Sequence, residues 1–225
     1  MDSEQALDGI SPEPITRRTL HSEVLERLRD MIIDGRLPAG TRLNEGAIGK
    51  QLGVSRTPLR EAAKTLASEG LLEIVPSKGA FVRRLSEEDV SAILDILKLL
   101  EQHAGRLTCA VASEAEVRNI LALHEEMRIH FEKRDRMPYF KCNQAIHSAI
   151  IQGAHNQVLA DMHGQLQARI KRVRYVGNSD DEAWQGAFAE HEDMARALRL
   201  RNGEALADAL GRHFDATWQR VRGQS

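Results

Sequence analysis

A chain of 225 residues with 42% hydrophobic side chains can form one or two domains with a sizeable core, and its 4% aromatic content favours aliphatic helical packing over an aromatic-rich β-sandwich. Only two cysteines are present, Cys109 and Cys142, and neither belongs to a CxxC motif, which excludes a disulfide framework and predicts a reducing, cytoplasmic setting. The net charge of −2 is unevenly spread: residues 16–84 hold 13 basic and 8 acidic side chains, a net +5, whereas residues 85–225 hold 18 and 21, a net −3. Any surface for a polyanion is therefore expected in the first part.

Residues 1–15 carry four acids, no base and Pro12 and Pro14 without an apolar period, the pattern of a mobile tail with neither the basic nor the apolar region of a signal peptide. From Thr19, the positions Leu20, Val24, Leu28, Met31 and Ile32 form a helical stripe that ends at Gly35. The segment from Asn44 to Gly70 then reads as helix, tight turn, helix. Asn44 caps a short helix expected to turn Ala47, Ile48 and Leu52 inward; Gly53 makes the turn, and Ser55 opens the second helix with Pro58 in its first turn. Leu59, Ala62, Ala63 and Leu66 give that helix an apolar face, which leaves Arg56, Thr57, Arg60 and Lys64 outward near the end that a recognition helix inserts in a major groove. Leu71 to Val75 and Ala80 to Arg83 read as two strands around the turn Pro76-Ser77-Lys78-Gly79.

Beyond Leu85 every element reads as helix. Ser86 caps a long one, Ser113 with Glu116 forms a capping box for the next, and Lys133 to Pro138 is expected to break the chain before helices at Tyr139–Ala154, Gln157–Val176, Ala183–Arg201 and Glu204–Val221. The fold class is thus mainly α: a winged helix-turn-helix over residues 16–84, after the tail 1–15, followed by an all-α six-helix bundle over 85–225.

Eight of the nine histidines lie in the bundle, where most are expected to be surface or packing residues. His147, His191 and His213 instead sit within helical apolar patterns, and Asn143 precedes His147 by four residues, which puts the two side chains on one face with Cβ atoms about 6 Å apart. An amide oxygen and imidazoles from neighbouring helices could share one ion, as bundle metal sites do.

The run LGVSRTPLREA followed by L-x-x-EGLL, together with the entry LPAGTRLNE and the closing LLEIVPSKGAFVRRL, resembles the winged helix-turn-helix of the GntR family of bacterial transcription regulators. The second half resembles the FCD domain of that family's FadR subfamily, through Leu100-Glu101, an acid-x-x-x-His segment, Glu-His, and a last histidine about 22 residues later. The resemblance implies base and phosphate contacts from Ser55, Arg56, Thr57, Arg60 and Lys64 and a wing tip at Lys78 and Gly79. It also implies a divalent metal, Zn or Ni, on Asn143, His147, His191 and His213, beside a pocket for a small carboxylate effector. Two positions depart from the family pattern: Asn143 stands where an aspartate is usual, and Leu97 stands where many members place an effector-binding arginine, so Arg169, Arg172 and Arg174 are the substitutes to consider.

These features predict a non-enzymatic, ligand-responsive regulator that binds a palindromic operator in double-stranded DNA as a homodimer, with repression as the family's usual sign. Two rivals stay open: a metalloenzyme that uses the histidines to activate water, and a constitutive DNA-binding protein with an inert bundle.

Overall fold

The computed structural model describes residues 20–177 and 180–222, so the expected tail 1–15 lies outside the described residues. Three helices come first: α1 (Leu20–Ile33), α2 (Glu45–Leu52) and α3 (Arg56–Ser68). They surround Leu28, Ile32, Leu59 and Leu66, all fully buried, and the hairpin of β1 (Leu72–Val75) and β2 (Gly79–Val82) closes the core with Leu72. The strands are antiparallel with Leu72 opposite Val82 and Val75 opposite Gly79. Sequence periodicity did not anticipate the partner of the outer edge of β2. The entry segment pairs there, Leu43 N–H donating to Ala80 C=O at 2.8 Å and Val82 N–H to Thr41 C=O at 2.9 Å, so the wing is covered on both edges of β2.

Local chemistry accounts for the element boundaries. Asn44 accepts from the Ala47 backbone N–H, and Gly53 ends α2 at φ +69, a left-handed conformation that glycine adopts without steric cost. The expectation that Ala47 faces inward is corrected: it is exposed in the first turn of α2, while Ile48 and Leu52 carry the packing.

Among the described residues six further helices follow: α4 (Glu87–Val111), α5 (Glu114–Glu132), α6 (Arg136–Gly153), α7 (Gln157–Gly177), α8 (Asp181–Arg199) and α9 (Gly203–Val221). Capping boxes at Ser86/Asp89 and Ser113/Glu116 start α4 and α5. The break expected up to Pro138 is shorter than predicted, because α6 begins at Arg136 and accommodates Pro138 in its first turn, where no intrahelical N–H is lost. Helix α4 lies along α9, α5 along α6 and α8 along α9. The bundle meets the winged unit through α1: Lys141 of α6 pairs with Glu26 at 3.1 Å and Asp30 at 2.8 Å. No helix among the described residues is long and apolar enough to cross a membrane.

Candidate functional site

At the head of α3, Ser55 occupies the N-cap position with an extended backbone, yet its hydroxyl makes no capping hydrogen bond, and Arg56, Thr57, Arg60 and Lys64 are all exposed. Arg60 Nε donates to Glu45 of α2 at 2.8 Å while its side chain stays 61% exposed, and Lys64 pairs with Glu61 at 2.9 Å. Lys78 is exposed at the wing turn, and Gly79 takes φ +97, a backbone that favours glycine. Arg42, which sequence reasoning missed, leans over this turn, 3.4 Å from where a Cβ on Gly79 would stand. With Arg56 and Arg60 it lines one open groove between recognition helix and wing, so the hairpin register is what brings a third arginine to this face.

In the bundle, α6, α8 and α9 bring His147, His191 and His213 together, their ligand-capable atoms within 4.8 Å of one another and all three side chains buried. Each imidazole has a fixed partner. His147 Nδ1 donates to Glu101 Oε2 at 2.5 Å, and His213 Nδ1 donates to Glu190 Oε2 at 2.7 Å, an assignment dictated by the acceptor-only carboxylates. Glu101 is fully buried and also accepts from His163 Nε2 at 2.8 Å, while Glu190 is held by a bidentate pair with Arg220 at 2.8 and 2.9 Å. With the Nδ1 protons committed to carboxylates, the Nε2 lone pairs of His147 and His213 face the centre. Arg174 Nη2 fills that centre, donating to His147 Nε2 at 3.0 Å and to His213 Nε2 at 3.1 Å. Asn143 Nδ2 lies 2.9 Å from His191 Nε2.

Burial alone would raise the Glu101 carboxyl, but the adjoining His147 and His163 outweigh it and hold the group well below the ordinary carboxylate range. Burial likewise pushes His191 and His213 far below the usual imidazole range, each further lowered by its neighbours, and lowers His147. The consequence is three neutral imidazoles beside an ionised Glu101 and a permanent guanidinium.

The family description "Bacterial regulatory proteins, gntR family" matches residues 20–82, and "FCD domain" matches residues 92–216, more than half of the chain. The chain belongs to the GntR family of bacterial transcription regulators. Its FCD domain is typical of FadR-like members, and the family consists of regulators rather than enzymes. Among curated relatives, a probable D-xylose utilization operon transcriptional repressor of Paenarthrobacter nicotinovorans is 31% identical over 90% of this chain and 88% of its own length. The HTH-type transcriptional repressor RspR of Escherichia coli K12 is 27% identical over 90% and 89%. Among solved structures, E. coli McbR/YncC matches the fold with a TM-score of 0.77 at 23% identity, covering 92% of this chain and 99% of the other.

For this GntR regulator, the donor chemistry of the cleft fits a divalent ion: three convergent imidazole nitrogens, two of them oriented by carboxylates, with an amide beside the third. Arg174 nevertheless occupies two of the three lone pairs, and Asn143 supplies no negative charge. The three arginines singled out from sequence separate. Arg174 is buried in the cleft, whereas Arg169 and Arg172 line the seam with the winged unit beside Gly70, Arg83, Arg84 and Leu85, because they lie on another side of α7. Sequence reasoning gave His163 no role and did not show that Glu190 orients His213. A helical pattern does not reveal which carboxylate opposes which ring. Among the described residues one other group of possible ligands, Glu126, His130 and Cys142, is less suited to metal, since burial and Glu126 push the Cys142 thiol up to about 11.

Proposed function

We propose that this protein is a cytoplasmic, ligand-responsive repressor that binds a palindromic operator as a homodimer and is released when a small anionic metabolite, a carboxylate foremost, enters the helical domain. Residues 16–84 act as the DNA-binding unit and residues 85–225 as the effector and dimerisation unit. The observation that carries this reading is the exposed basic head of α3 beside the wing, joined in one chain to a buried cluster of histidines and carboxylates. Arg56 and Arg60 read guanine edges, with Ser55, Thr57, Lys64 and Lys78 on phosphates or neighbouring bases and Gly79 letting the wing approach closely. Where a divalent ion such as Zn or Ni is taken up, His147, His191 and His213 hold it with Asn143. The ion then supplies an electrophilic anchor for the anionic group of the effector.

A cavity of about 10 Å³ beside His191, lined also by His124, Met194 and Leu198, holds no more than a single water, so binding a metabolite there requires the bundle to open. An effector that displaces Arg174 from the adjoining histidine cleft has a route to the DNA-binding heads, because α7 carries Arg174 inside the cleft and Arg169 and Arg172 on the seam with the winged unit. The test is selection from random duplexes followed by footprinting of the full-length dimer. Two inverted half-sites one helical turn or a multiple apart, with affinity lowered by a screened carboxylate, support the reading; unsymmetric binding that no metabolite alters sinks it.

A further inference from the structure

The histidine cleft already contains a cation. Arg174 Nη2 carries two hydrogens and meets two acceptors, His147 Nε2 at 3.0 Å and His213 Nε2 at 3.1 Å, while the amide of Asn143 lies 2.9 Å from the third inward nitrogen, on His191. Every lone pair that a divalent ion would use is therefore engaged by an N–H group of the chain. The carboxylates that orient the two rings, Glu101 and Glu190, stand against Arg174 and Arg220, so the fixed charges of the cleft sum to zero as it stands. An incoming ion would add two positive charges next to a guanidinium that is 3% exposed. Donor geometry and charge thus point in opposite directions: the imidazoles are arranged as ligands, and the charge is balanced without a metal.

We propose that Arg174 is the resident cation of this cleft and excludes divalent metal from it, so that an ion enters only by displacing the guanidinium from His147 and His213. Displacement is costly, because Arg174 Nη1 is already buried without a hydrogen-bond partner, while the ring of Phe214, 5.5 Å from the guanidinium carbon, helps hold the side chain in place. Arg174 is in this sense the residue that sets metal affinity, acting from a helix that contributes none of the ligands.

The test uses the full-length dimer, stripped of metal and titrated with Ni²⁺ alone against a chromophoric chelator, in wild type, Arg174→Gln, Arg174→Met and the double variant Arg174→Gln/His191→Ala. Far-UV circular dichroism checks that each is folded. Relief of like-charge repulsion and release of two lone pairs should raise Ni²⁺ affinity at least about 100-fold in either Arg174 variant, and the His191→Ala change should abolish that gain. Equal affinity in wild type and variants, or no uptake by a folded Arg174 variant, overturns the proposal. Should both Arg174 variants fail to fold, wild type alone decides. The Nε–Hε resonance of Arg174 must shift as diamagnetic Zn²⁺ saturates the cleft, or Zn²⁺ must fail to bind at millimolar concentration; saturation with that resonance unmoved overturns it. Operator binding measured on the same samples separates this outcome from the regulator reading, which stands or falls on DNA affinity and effector response.

Discussion

Glu101 gives the sharpest test of how the cleft is held together. Its two oxygens accept from His147 Nδ1 at 2.5 Å and His163 Nε2 at 2.8 Å, and all three side chains are essentially without solvent contact. Glu101→Ala would strand two buried N–H donors, each costing about 1–3 kcal/mol, and would remove the carboxylate that compensates Arg174. We expect a loss of about 3–5 kcal/mol, typical of breaking a buried ion pair. For a protein of this size that is about 6–20 °C in the melting temperature of the helical domain. Glu101→Gln keeps the shape and one acceptor but turns an amide N–H toward one of the two rings. That ring must change tautomer or lose its bond, so an intermediate loss of about 1–3 kcal/mol is expected. If His147 is the ring that changes, its Nε2 acquires a hydrogen facing Arg174 Nη2, and the Arg174 contact breaks as well. Urea and thermal unfolding followed by circular dichroism give the ranking, and ring ¹⁵N shifts report the tautomers. A Glu101→Ala protein within about 1 kcal/mol of wild type, or one more stable than Glu101→Gln, would refute the account of Glu101 as an ionised hub.

At the DNA face, Arg60→Ala should weaken operator binding by about 1–3 kcal/mol and binding to random duplex far less; equal losses on both would demote Arg60 to a phosphate contact. Its partner predicts the opposite direction: Glu45→Ala should leave stability almost unchanged, since an exposed pair contributes about 0–1 kcal/mol, and should tighten operator binding by up to about fivefold in gel-shift titrations. At the surface of α5, hydrogen bonds from His155 and then from Ser113 hold the Glu116 carboxyl down at about 2, against an ordinary 4.5. A lowered carboxylate pKa stabilises the fold above pH 4.5 and loses that contribution as pH falls toward 2. Carboxyl ¹³C titration should show this low midpoint and its rise in His155→Ala; an unchanged midpoint would contradict the assignment. In the wing, Gly79→Val forces a β-branched residue to φ +97 and should cost about 1–3 kcal/mol, read by unfolding of the N-terminal unit. A neutral result would mean that the turn relaxes freely.

Much of this molecule was determined locally. The helical stripes of α1 and α3, the αL turn at Gly53, the capping boxes at Ser86 and Ser113 and the turn at Ser77–Gly79 each follow from a few consecutive residues, because period, capping and positive φ are short-range effects. The convergence of His147, His191 and His213 was also suggested by spacing along helices, reinforced by family resemblance. Other features needed the tertiary structure. Strand pairing across a loop brought Arg42 to the wing, and Pro138 entered α6 because the first helical turn has no N–H bond to lose. The role of Arg174 is the clearest case. Arg169, Arg172 and Arg174 read alike in sequence, but helix rotation sends two to the seam and one into the cleft, where its neighbours come from α4, α6, α8 and α9. Which buried charge faces which lone pair is set by the packing of separate helices, and no pattern within one helix contains that information.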